Sequence, residues 1–196
     1  GAVDLINGYI SDVTETKIPE IFGEGSLDAS TVLALTNAIY FKSSWKDEFK
    51  PENTRPMDFN LIDGSQVEAM MMNSSESYYY GEEAGSYRAV EIPYKNDDLA
   101  MLVVMPDAGT LADFESAMDA DGIAALVGSM TSQEVNLDFP SFELNTDLVT
   151  LKDDLELMGM ASMFDPGQAD FSGISDASIF VQEVAHKAYI LVNEEG

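Results

Sequence analysis

Any nucleophilic chemistry in this sequence would have to run through one imidazole. His186 is the only histidine, and Ser–His chemistry needs that base beside a nucleophile, with a third group to orient it. His186 shares its parity with Val184, Ala188, Ile190 and Val192, so a buried, hydrogen-bonded imidazole fits this run better than a catalytic one. Zinc takes three or four N, S or O ligands. One histidine and no cysteine make such a site a poor expectation, so neither metal nor cofactor is expected. Acidic pairs such as Asp97-Asp98 lack the spaced Asp-x-Asp-x-Asp-Gly of a calcium loop, and no glycine-rich phosphate cradle occurs. Trp45, Tyr78-Tyr79-Tyr80 and Met70-Met71-Met72 are expected in the core. Glu194-Glu195-Gly196, taken alone, is an acidic loop end.

Charge narrows the partners. Nine basic residues face 36 acidic ones, for a formal net charge of -27. Such a surface repels nucleic acid and anionic lipid. The acids are spread over most loops and form no single tail, the pattern of a solvated, salt-adapted coat rather than a site for one cationic partner. Hydrophobic residues make up 45% of the chain, enough for a core. No apolar run approaches the roughly 18 residues of a membrane span, and no signal peptide is visible at the start.

The elements that must position these residues follow from periodicity. Val3, Ile6, Ile10 and Val13 recur at helical spacing, with no good capping residue in Gly1-Ala2-Val3. Strands are expected around Phe59 and over 66–73, 78–80, 87–94, 99–105 and 134–142. Breaks fall at Asp63-Gly64, Gly81, Gly85, Pro106 and Pro140. Short helices are expected over 111–117 and 122–127, and a longer one over 148–158 that ends at Gly159. The whole is an α+β fold dominated by sheet. Two runs, 31–42 and 181–192, are each about 12 residues long, roughly 40 Å as strands. Each carries one polar residue on its apolar parity: Asn37 among Leu33, Leu35, Ile39 and Phe41, and His186 in the second. Setting the amide beside the imidazole would satisfy both buried groups, so both are expected buried, on neighbouring strands.

Four segments, in order, resemble one family. Thr36-Asn37-Ala38-Ile39-Tyr40-Phe41-Lys42 followed by Trp45 resembles the central sheet strand of serpins. Pro93-Tyr94-Lys95 with 99–106 resembles their buried barrel hairpin. Ala169-Asp170-Phe171-Ser172-Gly173 resembles a serpin turn. His186-Lys187-Ala188 followed by Asn193-Glu194-Glu195-Gly196 resembles the strand that enters the reactive-loop hinge. The resemblance covers essentially the whole chain. It implies that residues 1–196 are part of a single serpin domain, its C-terminal half as far as the hinge; with the acidic coat, a prokaryotic, salt-adapted source is expected. The implied architecture is a large mixed central sheet, a barrel-like second sheet and short helices.

By the same resemblance Asn37 and His186 form the shutter, Trp45 and Glu194 the breach, and Glu194, Glu195 and Gly196 the hinge. The expected activity is non-enzymatic: suicide-substrate inhibition of a serine or cysteine endopeptidase by loop insertion. The expected protein is an extracellular or periplasmic monomer with a liability to polymerise. The alternative is a non-inhibitory serpin acting as a binding, storage or chaperone-like protein. In the uncut form, 36–42 should pair in parallel with 184–192. Ser141 stands where serpins often carry a base that pairs with the glutamate matching Glu194, so Glu194 is expected to lack a partner and the top of the sheet to be loosely held. Ser43 stands where glycine is common, and a small residue suits that turn.

Overall fold

The structure, a computed structural model, describes residues 1–23, 25–27, 31, 36, 40–96 and 98–196. Asn37 and most of the first long run therefore lie outside the described residues. The chain divides into two compact units, one of Gly1–Phe41 with Glu143–Ile190, the other of Lys42–Phe142 with Leu191–Gly196.

The second unit is built on an antiparallel sheet of β1 (Arg55–Asn60), β2 (Gln66–Glu83), β3 (Tyr87–Pro93), β4 (Ala100–Pro106) and β5 (Thr131–Pro140). Where two strands were expected over 66–80, β2 runs unbroken. The polar stretch Asn73-Ser74-Ser75-Glu76-Ser77 stays extended because β5 pairs with it residue for residue, from Met71↔Pro140 to Tyr80↔Thr131. Backbone pairing thus overrides a sequence with no apolar alternation. Met71 also faces Arg55 of β1, and Tyr79 faces Glu91 of β3. Each β2 residue has one partner per edge, so β5 occupies one edge while β1 and β3 follow each other along the other. The β1–β2 turn needs a left-handed residue, and Gly64 takes it at φ 83°. Asp63 Oδ1 accepts from the Ser65 amide and hydroxyl.

Side-chain parity along β2 fills the core. Met72 and Tyr78 are buried and Tyr80 packs beside them, while Tyr79 points to solvent. With Trp45, Phe49, Val90, Ile92, Tyr94, Phe139 and Val192 they form one apolar cluster. Helices α2 (Leu111–Ala117) and α3 (Ala120–Ser129) follow β4. Asp119 caps α3 by accepting from the Gly122 amide at 2.8 Å. The buried Leu126 packs with Ala89 and Met130 in a smaller cluster.

The first unit opens with α1 (Ala2–Val13). Its C-terminal turn is held by Thr14, whose hydroxyl donates to the Ile10 carbonyl at 2.7 Å and accepts from the Ile18 amide at 3.1 Å. The helix expected over 148–158 is shorter. Val149 and Thr150, both β-branched, are taken into β7 (Val149–Thr150); α4 (Lys152–Leu155) then runs on as a π-helical turn, Glu156–Met160, kinked at the expected Gly159, φ 95°. The final long strand is also broken, into β8 (Ala185–His186) and β9 (Tyr189–Val192). β8 pairs with β7 antiparallel, and β9 with β6 (Phe142–Asn145). Between the two pieces the Thr146 hydroxyl accepts from the Ala188 amide at 2.9 Å, and the Thr146 amide donates to the Ala188 carbonyl. A side chain here stands in for a ladder partner.

This break corrects the expected burial of His186. Its imidazole is exposed, because it sits at the end of a two-residue strand opposite Val149 rather than inside a continuous strand covered on its apolar face. The α+β class stands. Every strand pair whose direction is described is antiparallel.

Candidate functional site

In the second unit the 43–49 loop is fixed to the end of β3. Trp45 bridges Tyr94, the Lys46 amide donates to the Pro93 carbonyl, and the Lys95 amide donates to the Ser44 carbonyl, both at 2.9 Å. The Trp45 indole is fully buried. It stacks on the Tyr94 ring with centroids 4.8 Å apart and planes 7° apart, and meets Phe49 edge-on at 6.3 Å. Burial pushes the Tyr94 phenol above its ordinary pKa.

The segment that leaves β9 docks on this loop. Trp45 Nε1 donates to the Asn193 carbonyl at 2.9 Å. The Phe49 amide donates to the Glu194 carbonyl at 3.0 Å, and the Trp45 amide to the Glu195 carbonyl at 2.9 Å. Three consecutive carbonyls thus turn to one loop, whereas successive carbonyls of a strand alternate between its two edges. Residues 193–196 are therefore not held as strand. Thr54 Oγ1 donates to Glu194 Oε1 at 2.7 Å, and both side chains are half-buried. Packing at the last residue is close: a Cβ on Gly196 would lie 2.1 Å from the Ser43 carbonyl oxygen. Only glycine fits there without a backbone shift.

Trp45 and Glu194, singled out together from sequence, are brought together, with Glu195 and Gly196 on the same loop. Where a basic partner of Glu194 was expected to be lost, the Thr54 hydroxyl binds its carboxylate instead. Ser141, in place of the expected base, ties β9 directly: its hydroxyl donates to the Val192 carbonyl at 3.1 Å, and its amide to the Met70 carbonyl at 2.8 Å. A short neutral side chain reaches the backbone that a long cation would bypass on the way to a carboxylate. Sequence reasoning missed Thr54, Tyr94 and Asn193 as site residues. Nothing local marks Thr54, which lies 140 residues from Glu194. Asn193 carried a signal, because asparagine after a strand favours a side-chain-closed turn.

The chain belongs to the serpin family: the family model described as Serpin (serine protease inhibitor) matches residues 1–196. Iris of Ixodes ricinus is 37% identical over 195 residues, 97% of this chain and 51% of that protein. Human neuroserpin is 36% identical over 202 residues, 98% of this chain and 49% of that protein. An uncharacterized serpin-like protein of Methanosarcina acetivorans is 34% identical over 197 residues, 100% of this chain and 46% of that protein. The chain spans about half the length of the curated relatives it matches. The family's description is of inhibitors rather than catalysts.

Proposed function

We propose that this chain is part of a single serpin domain that inhibits a serine or cysteine endopeptidase by loop insertion. The observation that carries the reading is the hinge. At the end of β9, Asn193, Glu194 and Glu195 are held in a turn against the Trp45 loop, and such a turn lets a chain that continues beyond Gly196 fold back beside β9. When a serine or cysteine protease attacks a loop beyond Gly196, the scissile peptide bond breaks: the acyl group passes to the protease hydroxyl or thiol, and the new amine end leaves with the nucleophile's proton. The cut loop then enters the sheet beside β9 as a new strand. Serpin loop insertion is itself a standard instance of strand addition. Each added backbone hydrogen bond contributes about 0.5–1.5 kcal/mol net, and a full strand adds many. The same openness to strands gives the monomer a liability to polymerise.

The sheet is proposed to part between the strands of Asn37 and His186. With His186 exposed in this structure, that pairing is tested by a double-mutant cycle in the full-length protein. Coupling between Asn37→Ala and His186→Ala of about 1 kcal/mol supports a shutter contact, and additive effects remove it.

The function itself is tested by mixing full-length protein with trypsin-, chymotrypsin- and elastase-type serine proteases and a papain-type cysteine protease. A complex that survives boiling in detergent is the expected result. Cleavage by every protease with no such complex overturns the inhibitory reading in favour of a non-inhibitory serpin.

A further inference from the structure

We propose that Asn7-Gly8 is a site of spontaneous deamidation, held closed by the loop that returns from α1, and that its products loosen that loop. The pair lies inside α1. Packing gives no reason for the glycine: among the described residues nothing lies within 4 Å of a Cβ placed on Gly8. Its backbone is helical, so no left-handed conformation requires glycine either, and glycine disfavours a helix interior relative to alanine. Its chemical consequence is a backbone amide that no side chain shields, directly after an asparagine. The Asn7 side chain holds the return loop by three bonds. Its Oδ1 accepts from the Ile21 and Phe22 amides, both at 3.1 Å, and its Nδ2 donates to the Phe22 carbonyl at 2.8 Å. The start of that loop is fixed by Thr14, whose hydroxyl ties Ile10 to Ile18.

In deamidation the Gly8 nitrogen attacks Asn7 Cγ. The new N–Cγ bond closes a five-membered imide, the Cγ–Nδ2 bond breaks, and Nδ2 leaves as ammonia with the Gly8 amide proton. Water then opens the imide at either carbonyl, giving aspartate or isoaspartate. The folded protein opposes the first step twice. The Gly8 amide is committed to the helical ladder, and the Asn7 carboxamide is pinned by its three bonds to 21–22. Attack therefore needs the return loop to lift and this turn of α1 to open. Neither product restores the clasp. An aspartate at 7 still accepts from the Ile21 and Phe22 amides but has no proton for the Phe22 carbonyl, so two acceptors are left where Nδ2 donated. An isoaspartate adds a methylene to the backbone inside α1. The reaction runs one way, so the site records how often the loop opens.

The inference does not depend on protease inhibition. Full-length parent, Gly8→Ala and Thr14→Val are aged at mildly alkaline pH, folded and in denaturing urea. Conversion at Asn7 is read by peptide mass mapping, and isoaspartate by methyl transfer from S-adenosylmethionine with an isoaspartyl methyltransferase. Each net hydrogen bond is worth about tenfold, so the folded parent should convert at Asn7 measurably, but at least about a hundredfold more slowly than in urea. Thr14→Val leaves Asn7-Gly8 intact, frees the start of the loop and should speed folded-state conversion several-fold. Gly8→Ala should slow conversion in urea strongly, because a methyl group then shields the attacking nitrogen. Amide hydrogen exchange at Ile21 and Phe22 should be several-fold faster in Asn7→Asp than in the parent. If Thr14→Val does not fold, the parent in rising sub-denaturing urea decides the gate: conversion and Ile21 amide exchange must climb together. No conversion in the folded parent, equal rates folded and in urea, parental conversion in a Thr14→Val protein whose Ile18 amide exchanges faster, Gly8→Ala that matches the parent in urea, conversion that does not follow exchange, or parental exchange in Asn7→Asp would each overturn the proposal.

Discussion

Trp45→Phe removes two things that the structure separates. The first is the indole N–H, which donates to the Asn193 carbonyl at 2.9 Å. The second is part of a fully buried ring system stacked 4.8 Å from Tyr94 and surrounded by the core cluster. Truncating a buried tryptophan to alanine costs about 3–5 kcal/mol. Phenylalanine keeps more than half of that volume, so the packing share is about 1–2.5 kcal/mol. The lost hydrogen bond adds about 0.5–1.5 kcal/mol. The expected total is about 1.5–4 kcal/mol, measured as the shift in the first urea transition of the full-length protein by far-ultraviolet circular dichroism. Replacing Trp45 by benzothienylalanine, an isostere without the N–H, isolates the hydrogen-bond share. It should cost about 1 kcal/mol and loosen the Asn193 end while leaving the core intact. A Trp45→Phe loss below about 0.5 kcal/mol, the ordinary range for surface changes, would refute the claim that this indole is what the docked segment rests on.

Thr54→Val removes the donor to Glu194 and should cost about 1–2 kcal/mol of stability, while Glu194→Gln, which keeps an acceptor, should cost less; equal losses in a urea titration would contradict this. With a net charge of -27, melting temperature should rise between low and molar salt as self-repulsion is screened, and a flat or falling trend would show that self-repulsion does not govern stability. The Asp63 carboxyl is held below its ordinary pKa by the Ser65 hydroxyl, Asp165 by the Gly167 amide and Asp170 by the Ser172 hydroxyl. A folded pKa below the unfolded one gives stability that is present above about pH 4 and lost as pH falls through the folded value, whereas neutralising the acidic coat stabilises as pH falls from 7. Melting temperature should therefore peak near about pH 5 and drop below about pH 4; a continued rise to about pH 3 would refute the turn contribution.

Much of the second unit was legible because its signals are local. Proline and glycine breaks marked the limits of β3 and β4, and the tyrosine and methionine runs marked β2, although Tyr79 and Met70, expected in the core with their neighbours, are exposed because alternate side chains face opposite sides of the strand. The unbroken course of β2 was not legible. Nothing in Asn73-Ser74-Ser75-Glu76-Ser77 favours a strand, and its partner β5 lies about 60 residues away in sequence. The first unit shows the opposite error. An apolar parity over 181–192 promised one long strand, and a threonine hydroxyl from 146 divided it. Parity reports which residues prefer to share a face; it does not report whether the ladder that would align them is continuous.

The proposed hinge shows both effects at once. Glu194-Glu195-Gly196 was recognisable only through the strand before it, and its acidic composition carries little of what holds it. Its backbone is held by an indole, two loop amides and the side chain of its own Asn193. Of its two acids, Glu194 has its carboxylate bound by a hydroxyl, while Glu195 is exposed. In a chain this acidic, a turn latched by neutral donors has a physical advantage. A lysine bridge would be weakened by the surrounding field of carboxylates competing for it and by salt. Hydroxyl, indole and amide donors keep their strength across ionic strength. The replacement of a cation by Ser141, which at first looks like a loss, then belongs with Thr54 and Asn193 as one neutral latch. The exchange rates of the Glu195 and Gly196 amides should accordingly change less than about twofold between about 0.1 M and about 2 M salt, even as the melting temperature of the whole protein climbs. Exchange that tracks the melting temperature would show that the latch is electrostatic after all.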